Sequence, residues 1–128
     1  MAKVIKFDNN TYLYGTIIEK GSNTYGKYIK YSDGTLIQYD MKTVQDQSIN
    51  NVYGSGIYQG TRDIVFPIAF VGDTPACQCS CLQWGTGASW GCVYNATLTY
   101  MQIRGFDCYQ RSSGTDCLIS WLAIGRWR

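Results

Sequence analysis

The sequence predicts an all-β chain, a small antiparallel β-sandwich, and three observations carry that expectation. Apolar residues alternate in short runs rather than recurring at helical spacing, and the best helical window, "MKTVQDQSIN", has no clean 3.6-residue period. Fourteen glycines break those runs at short intervals. Aromatics make up 15% of the chain, with 11 tyrosines, while charged residues reach only 16%, the balance of a folded strand-former. At 128 residues the chain has the size of one domain and can bury a core without cross-links.

Taken in order, strands are expected near residues 4–7, 27–31, 35–39, 62–66, 77–82, 96–104 and 118–126. The breaks between them read as "EKGSNTYGK", "NNVYGSGIYQGTR", "FVGDTPA", "WGTGASWG" and "YQRSSGTD". The second and third strands form the most local unit, "YIKYSDGTLIQY". Asp33-Gly34 tolerates the positive φ angles of a two-residue type I′ turn, which would set Tyr31 opposite Leu36 and Tyr28 opposite Tyr39. Residues 1–20 stand apart as a connector, ahead of a sandwich spanning 21–128.

The formal net charge is +2, with Lys and Arg scattered, so no nucleic-acid footprint is expected. No run approaches the ~20 apolar residues of a membrane span. The N-terminus "MAKVIKFDNN" lacks the apolar stretch of a secretory signal, which points to synthesis in a reducing cytosol.

Six cysteines raise the question of staples. Cys77, Cys79 and Cys81 alternate along one strand, so their side chains share a face about 6.6–6.8 Å apart, at the limit of disulfide geometry. Cys92, Cys108 and Cys117 are dispersed. With no histidine and no paired C-x₂₋₄-C, the spacing favours buried thiols over one or two disulfides or a metal clamp.

The lack of histidine also removes Ser-His and Cys-His nucleophilic mechanisms. A glycosidase-like pair drawn from Asp63, Asp73, Asp107 and Asp116 is conceivable, but all four fall in loops or strand ends where turn capping explains them. "GSGIYQG" lacks the Lys-Ser/Thr of a phosphate loop. No catalytic residue, metal or cofactor is expected.

What remains is the composition of a recognition surface: Tyr and Trp supply contact area at low entropic cost, and Gly, Ser and Asn supply adaptable hydrogen bonds. "LQWGTGASWGCVY" sets Trp84 and Trp90 at the ends of a glycine loop with Tyr94 beyond, and "RGFDCYQRSSGTD" offers Asp107, Tyr109 and Arg111, with Arg104 at its start outside the chosen set. These six are the candidate ligand contacts, an aromatic plane with one acid and one base, suited to a sugar. Trp121, ahead of "LAIG", reads as core.

Three motifs in order then resemble the C-terminal receptor-binding head of bacteriophage and prophage tail fibres. In that family a Gly-x-x-Lys-x-x-(Asp/Asn)-Gly-x-(Leu/Ile)-Ile-Gln hairpin leads to a Phe-Pro-x-x-Phe segment and closes on an aromatic-Ile-Ala-Ile-Gly strand. Lys27 or Lys30 with Asp33, Gly34, Leu36, Ile37 and Gln38 match the first, Phe66, Pro67 and Phe70 the second, and Trp121, Leu122, Ala123, Ile124 and Gly125 the third. The resemblance spans about residues 20–128; the cysteine row and the Trp84–Trp90 loop depart from it.

The resemblance implies an H-type-lectin-like sandwich, an intertwined homotrimer, and non-enzymatic adhesion to a bacterial surface glycan or protein. Its partners would be its own copies, the host receptor and an upstream fibre shaft or baseplate. It would be made in the bacterial host cytoplasm and work in the virion. On this reading Tyr12, Tyr14 and Tyr25 pack along a threefold axis, and the closing strand carries core on one face and a neighbouring subunit on the other. Competing readings are a structural baseplate or fibre-assembly module, a free-standing secreted lectin, and a glycan-cleaving enzyme.

Overall fold

The computed structural model describes residues 16–83 and 89–128. Among them there is no helix. Their strands are β1 (Ile17–Asn23), β2 (Gly26–Tyr31), β3 (Thr35–Val44), β4 (Asn51–Gly54), β5 (Ile57–Val65), β6 (Ala76–Gln83), β7 (Ser89–Ala96), β8 (Tyr100–Asp107) and β9 (Cys117–Arg126). They form two antiparallel sheets, ordered β1-β2-β3-β9-β6 and β4-β5-β8-β7, in a small sandwich whose β6 and β7 edges pack together. The strand expected at 4–7, Tyr12, Tyr14, Trp84 and most of the 1–20 connector lie outside the described residues. Residues 17–20 belong to β1, which pairs with β2.

The hairpin of β2 and β3 forms, but one residue out of the expected register. Lys30 pairs with Leu36 and Tyr28 with Gln38. A type I′ turn needs positive φ at both central residues, and here only Gly34 has it (φ 96°). The loop is therefore three residues long: the Gly34 amide donates to the Tyr31 carbonyl (3.0 Å), and the Asp33 carboxylate accepts from the Thr35 amide (2.9 Å). Side chains alternate along a strand, so the slip puts Tyr28 beside buried Gln38 rather than beside Tyr39.

Three strands, β1, β4 and β7, occupy segments whose glycines suggested breaks. Gly56 does turn the chain, at φ 74° between β4 and β5, but other glycines mark close approach instead. Gly60, Gly105 and Gly91 pair side by side across β5, β8 and β7. A Cβ at Gly60 would sit 1.9 Å from the Ser48 carbonyl oxygen, one at Gly105 2.7 Å from Cys81 Sγ, and one at Gly91 2.8 Å from the Cys81 amide nitrogen. This bare row makes room for the Gln47–Ile49 segment and for β6 to lie on the second sheet. The strand expected at 96–104 begins only at Tyr100, because Thr97 caps a turn by accepting the Tyr100 amide on its hydroxyl (3.1 Å).

All six cysteines are unpaired. Cys77, Cys79 and Cys81 line the inner face of β6, and burial pushes the Cys79 thiol up to about 11. Cys81 and Cys117 approach to 3.5 Å between sulfurs, a thiol hydrogen bond rather than a covalent distance.

The three motifs behind the resemblance meet in the core. Gln38, fully buried, donates its amide to the Ile68 carbonyl (2.7 Å) and accepts the Ile68 amide on its side-chain oxygen (2.8 Å). A side chain thus pairs with backbone as a strand would. It fixes the irregular stretch after β5, so that Phe66 and Phe70 meet edge to face at 5.0 Å and Phe66 lies 5.8 Å from Trp121. Gly125 completes the joint, since a Cβ there would strike Phe70 at 2.6 Å. Leu36, Met101, Ile103, Ile119 and Ala123 fill the remaining interior. Replacing Gln38 by Leu orphans both Ile68 groups, at about 1–3 kcal/mol each. The urea midpoint should fall accordingly with an unchanged denaturant slope.

Candidate functional site

The outer face of the four-stranded sheet carries an aromatic cluster built by its register. β7 and β8 set Trp90 opposite Phe106 and Cys92 opposite Arg104. The indole stacks on Phe106 at 5.6 Å between centroids, nearly parallel at 20°. From β4, Tyr53 meets the same phenylalanine edge on at 5.0 Å. Phe106 is buried, yet it stands outside the core cluster, because Trp90 and Tyr53 cover it.

Two bulges supply the tyrosines. Register shifts between Val52 and Gly54 in β4 and between Val93 and Asn95 in β7, leaving Tyr53 and Tyr94 as the extra residues. A bulge re-aims its side chain, and both rings come to Arg104: its guanidinium lies 3.9 Å from the Tyr94 centroid and 5.5 Å from that of Tyr53. Trp90, Tyr94 and Tyr53 remain 43%, 56% and 55% exposed. The Arg104 Nε and Gln59 Oε1 atoms beside them are buried without a hydrogen-bond partner among the described residues.

The remaining expected contacts form a second group at the end of β8. Asp107 is fully buried. Its carboxylate accepts from the Ser89 hydroxyl (2.5 Å), the Tyr109 amide (2.8 Å) and Arg111 Nε (3.0 Å). It is thus placed to organise the loop, not to meet a ligand hydroxyl. Arg111 is held on its backbone as well, exchanging both hydrogen bonds with Ile49, and its guanidinium lies 5.7 Å from the exposed Tyr109 ring. The structure therefore brings Trp90 and Tyr94 together on one face, while Asp107, Tyr109 and Arg111 cluster at its end.

Tyr53 and Phe106 were not among the expected contacts. The signal for Tyr53 was present: "VYGSGIY" has a Ser-Gly turn between apolar residues, a hairpin pattern hidden inside a glycine-rich stretch. Among the described residues no group of three or more Cys, Asp or Glu is arranged to hold a metal.

Burial alone would raise the Asp107 pKa, but the hydrogen bonds from Ser89, Tyr109 and Arg111 and the Arg111 charge outweigh it and hold the carboxyl below the usual carboxylate range. A depressed folded-state pKa contributes stability that is present above the unfolded value of about 3.9 and is lost as pH falls through the folded value. Asp107→Asn should therefore flatten the acid limb of the stability–pH curve below about pH 4, measured by urea denaturation across pH.

No family model matches this chain, and no curated protein matches its sequence. Among solved structures, it is similar to the C-terminal fragment of the R1 pyocin fibre of P. aeruginosa, with a TM-score of 0.57 and 18% sequence identity over 84% of this chain. The chain spans 28% of the length of that fragment. At this identity the likeness is one of fold: the described sandwich shares its fold with part of that fragment.

Proposed function

We propose that this chain is the receptor-binding tip of a phage-type tail fibre, a non-enzymatic adhesin for a bacterial surface glycan or protein. One observation carries the reading: Tyr53, Trp90 and Tyr94 crowd around Phe106 and Arg104 on the exposed face of a sheet, where a core has no use for them. A rigid aromatic plane beside a guanidinium grips a sugar ring or an apolar side chain without chemistry. The fold shared with a pyocin fibre fragment supports the setting, and with it a place in the virion after synthesis in the host cytoplasm, attached to a shaft or baseplate.

Adhesion of this kind works by repetition, since weak sites multiply when presented together. A homotrimer suits the opposite face of the molecule. The outer side of the five-stranded sheet sets Ile37 beside Ile124 and Tyr39 beside Leu122, with Met41, Leu122 and Ile124 exposed. Size-exclusion chromatography with light scattering at micromolar concentration is expected to give three chains, and a clean monomer would count heavily against the assembly.

A structural baseplate or assembly module would use the same face against another virion protein. Trp90→Ala separates the two roles. On the adhesin reading particles assemble normally but adsorb to host cells at least about tenfold less, as expected for a central aromatic anchor. Failed assembly would favour the structural role. Titration of six free thiols in denaturant would set aside a secreted, disulfide-stapled lectin. Unchanged glycan cleavage in Asp107→Asn and Asp116→Asn proteins would dismiss that pair as catalytic.

A further inference from the structure

The sandwich is closed where β6 meets β7 and splayed where β3 faces β5. The open edge holds a cleft of about 190 Å³, floored by Trp121 and reached past the β1–β2 turn. That volume is below the ~300–1,000 Å³ that holds drug-sized ligands, so the cleft takes a single ring.

Its walls are chemically specific. The buried Trp121 indole and the exposed Tyr25 ring supply the apolar surface. Gly26 presses the turn inward, since a Cβ there would lie 3.1 Å from both Asp40 Cβ and Trp121 Cζ2. Lys42 ties the same turn across the opening by donating to the Thr24 carbonyl (3.0 Å). Its ammonium keeps further donors, since it has three in all.

Three further charges line the cleft. Arg62 is neutralised by Asp46 at 2.9 Å, and Asp63, exposed, accepts from the Gln102 side-chain amide (3.0 Å). Asp40 is half-buried, and no hydrogen bond or ion pair engages it among the described residues. A carboxylate in such a place accepts strongly, and no protein donor among the described residues competes for it.

We infer that this cleft is a binding site for one neutral saccharide ring, with Asp40 accepting ring hydroxyls, Lys42 donating to them, and Tyr25 and Trp121 packing against the C–H face. Of the four charged residues lining the cleft, Arg62 and Asp63 are engaged elsewhere, and the Asp40 carboxylate and Lys42 ammonium that remain cancel, so a ligand without net charge suits them. Hydroxyls suit the pair because they both donate and accept. Rings on the wall suit a flat apolar face with polar rims. The site is distinct from the outer aromatic face and goes beyond it.

The chain has four tryptophans, so its indole N–H signals in a two-dimensional ¹⁵N–¹H spectrum form a built-in reporter. Free hexoses, deoxyhexoses and N-acetylhexosamines are titrated one at a time to roughly 50 mM, enough to fill a site with a Kd of about 1 mM. At least one should move the Trp121 signal and leave that of Trp90 in place. Asp40→Asn, equal in shape, should weaken the response at least about tenfold, and Trp90→Ala should not change it. Tyr25→Ala removes an exposed ring, cannot empty the core, and should also weaken binding.

The inference is overturned if no sugar moves Trp121. It is equally overturned if glycine as free zwitterion does so and no sugar does, or if Asp40→Asn binds undiminished. Host adsorption of the Trp90→Ala protein tests the outer face separately, so either site can fail while the other stands.

Discussion

The architecture depends on one side chain that behaves as backbone. Gln38 gives its amide to the Ile68 carbonyl and takes the Ile68 amide in return, within a fully buried setting. The stretch after β5 contains Pro67, which has no amide to donate and cannot continue a ladder. Without a substitute partner, the chain there would bury unsatisfied polar groups or leave the core. With it, Phe66 and Phe70 are delivered to Trp121 and to the bare backbone of Gly125. The Asn23 side-chain amide adds a second tie by donating to the Pro67 carbonyl (3.0 Å).

This joint explains why three separated motifs carry a fold resemblance and say little about a ligand. Gln38, the Phe-Pro-x-x-Phe segment and the closing Trp-Leu-Ala-Ile-Gly strand are parts of a single packing solution. Their side chains are largely spent on one another. Anything the molecule grips must be read from positions left over, and those are the bulges and the open edge. Function of this kind varies on a constant scaffold.

The sequence showed what alternation and turn chemistry can show. The all-β class, the hairpin at Asp33-Gly34, the core placement of Trp121 and the alternating cysteine row were all legible, because each depends on residues near in sequence. The register was not. Ser32-Asp33-Gly34 serves as a three-residue loop with a lone positive φ, a choice settled by how β3 sits between β2 and β9 rather than by the dipeptide. Nor were β5's first half and β7, because Gly60 and Gly91 act through neighbours far along the chain, nor β4, whose Ser-Gly turn lay inside a glycine-rich stretch. Asp107 had the look of a ligand contact from its loop; its burial follows from Ser89 and Arg111 closing on it, a three-body arrangement that spacing alone does not encode.

The bulges and the glycine row belong to the same solution. A glycine row lets the second sheet press onto Cys81 and the Ile49 segment, so the inner face of that sheet is committed there to backbone contact. Bulk must then be carried outward, and Phe106 with Trp90, directly opposite each other next to the Gly105–Gly91 pair, carries it. An aromatic cap made only to shield Phe106 would need no guanidinium. Arg104 instead sits between two bulged tyrosines with its Nε unpaired among the described residues, as is the side-chain oxygen of Gln59, the β5 residue opposite Phe106. Buried polar atoms left without partners cost about 1–3 kcal/mol each. That cost is offset in part by the two rings packed on the guanidinium, so Arg104 is held at this face by aromatic contact rather than by hydrogen bonds.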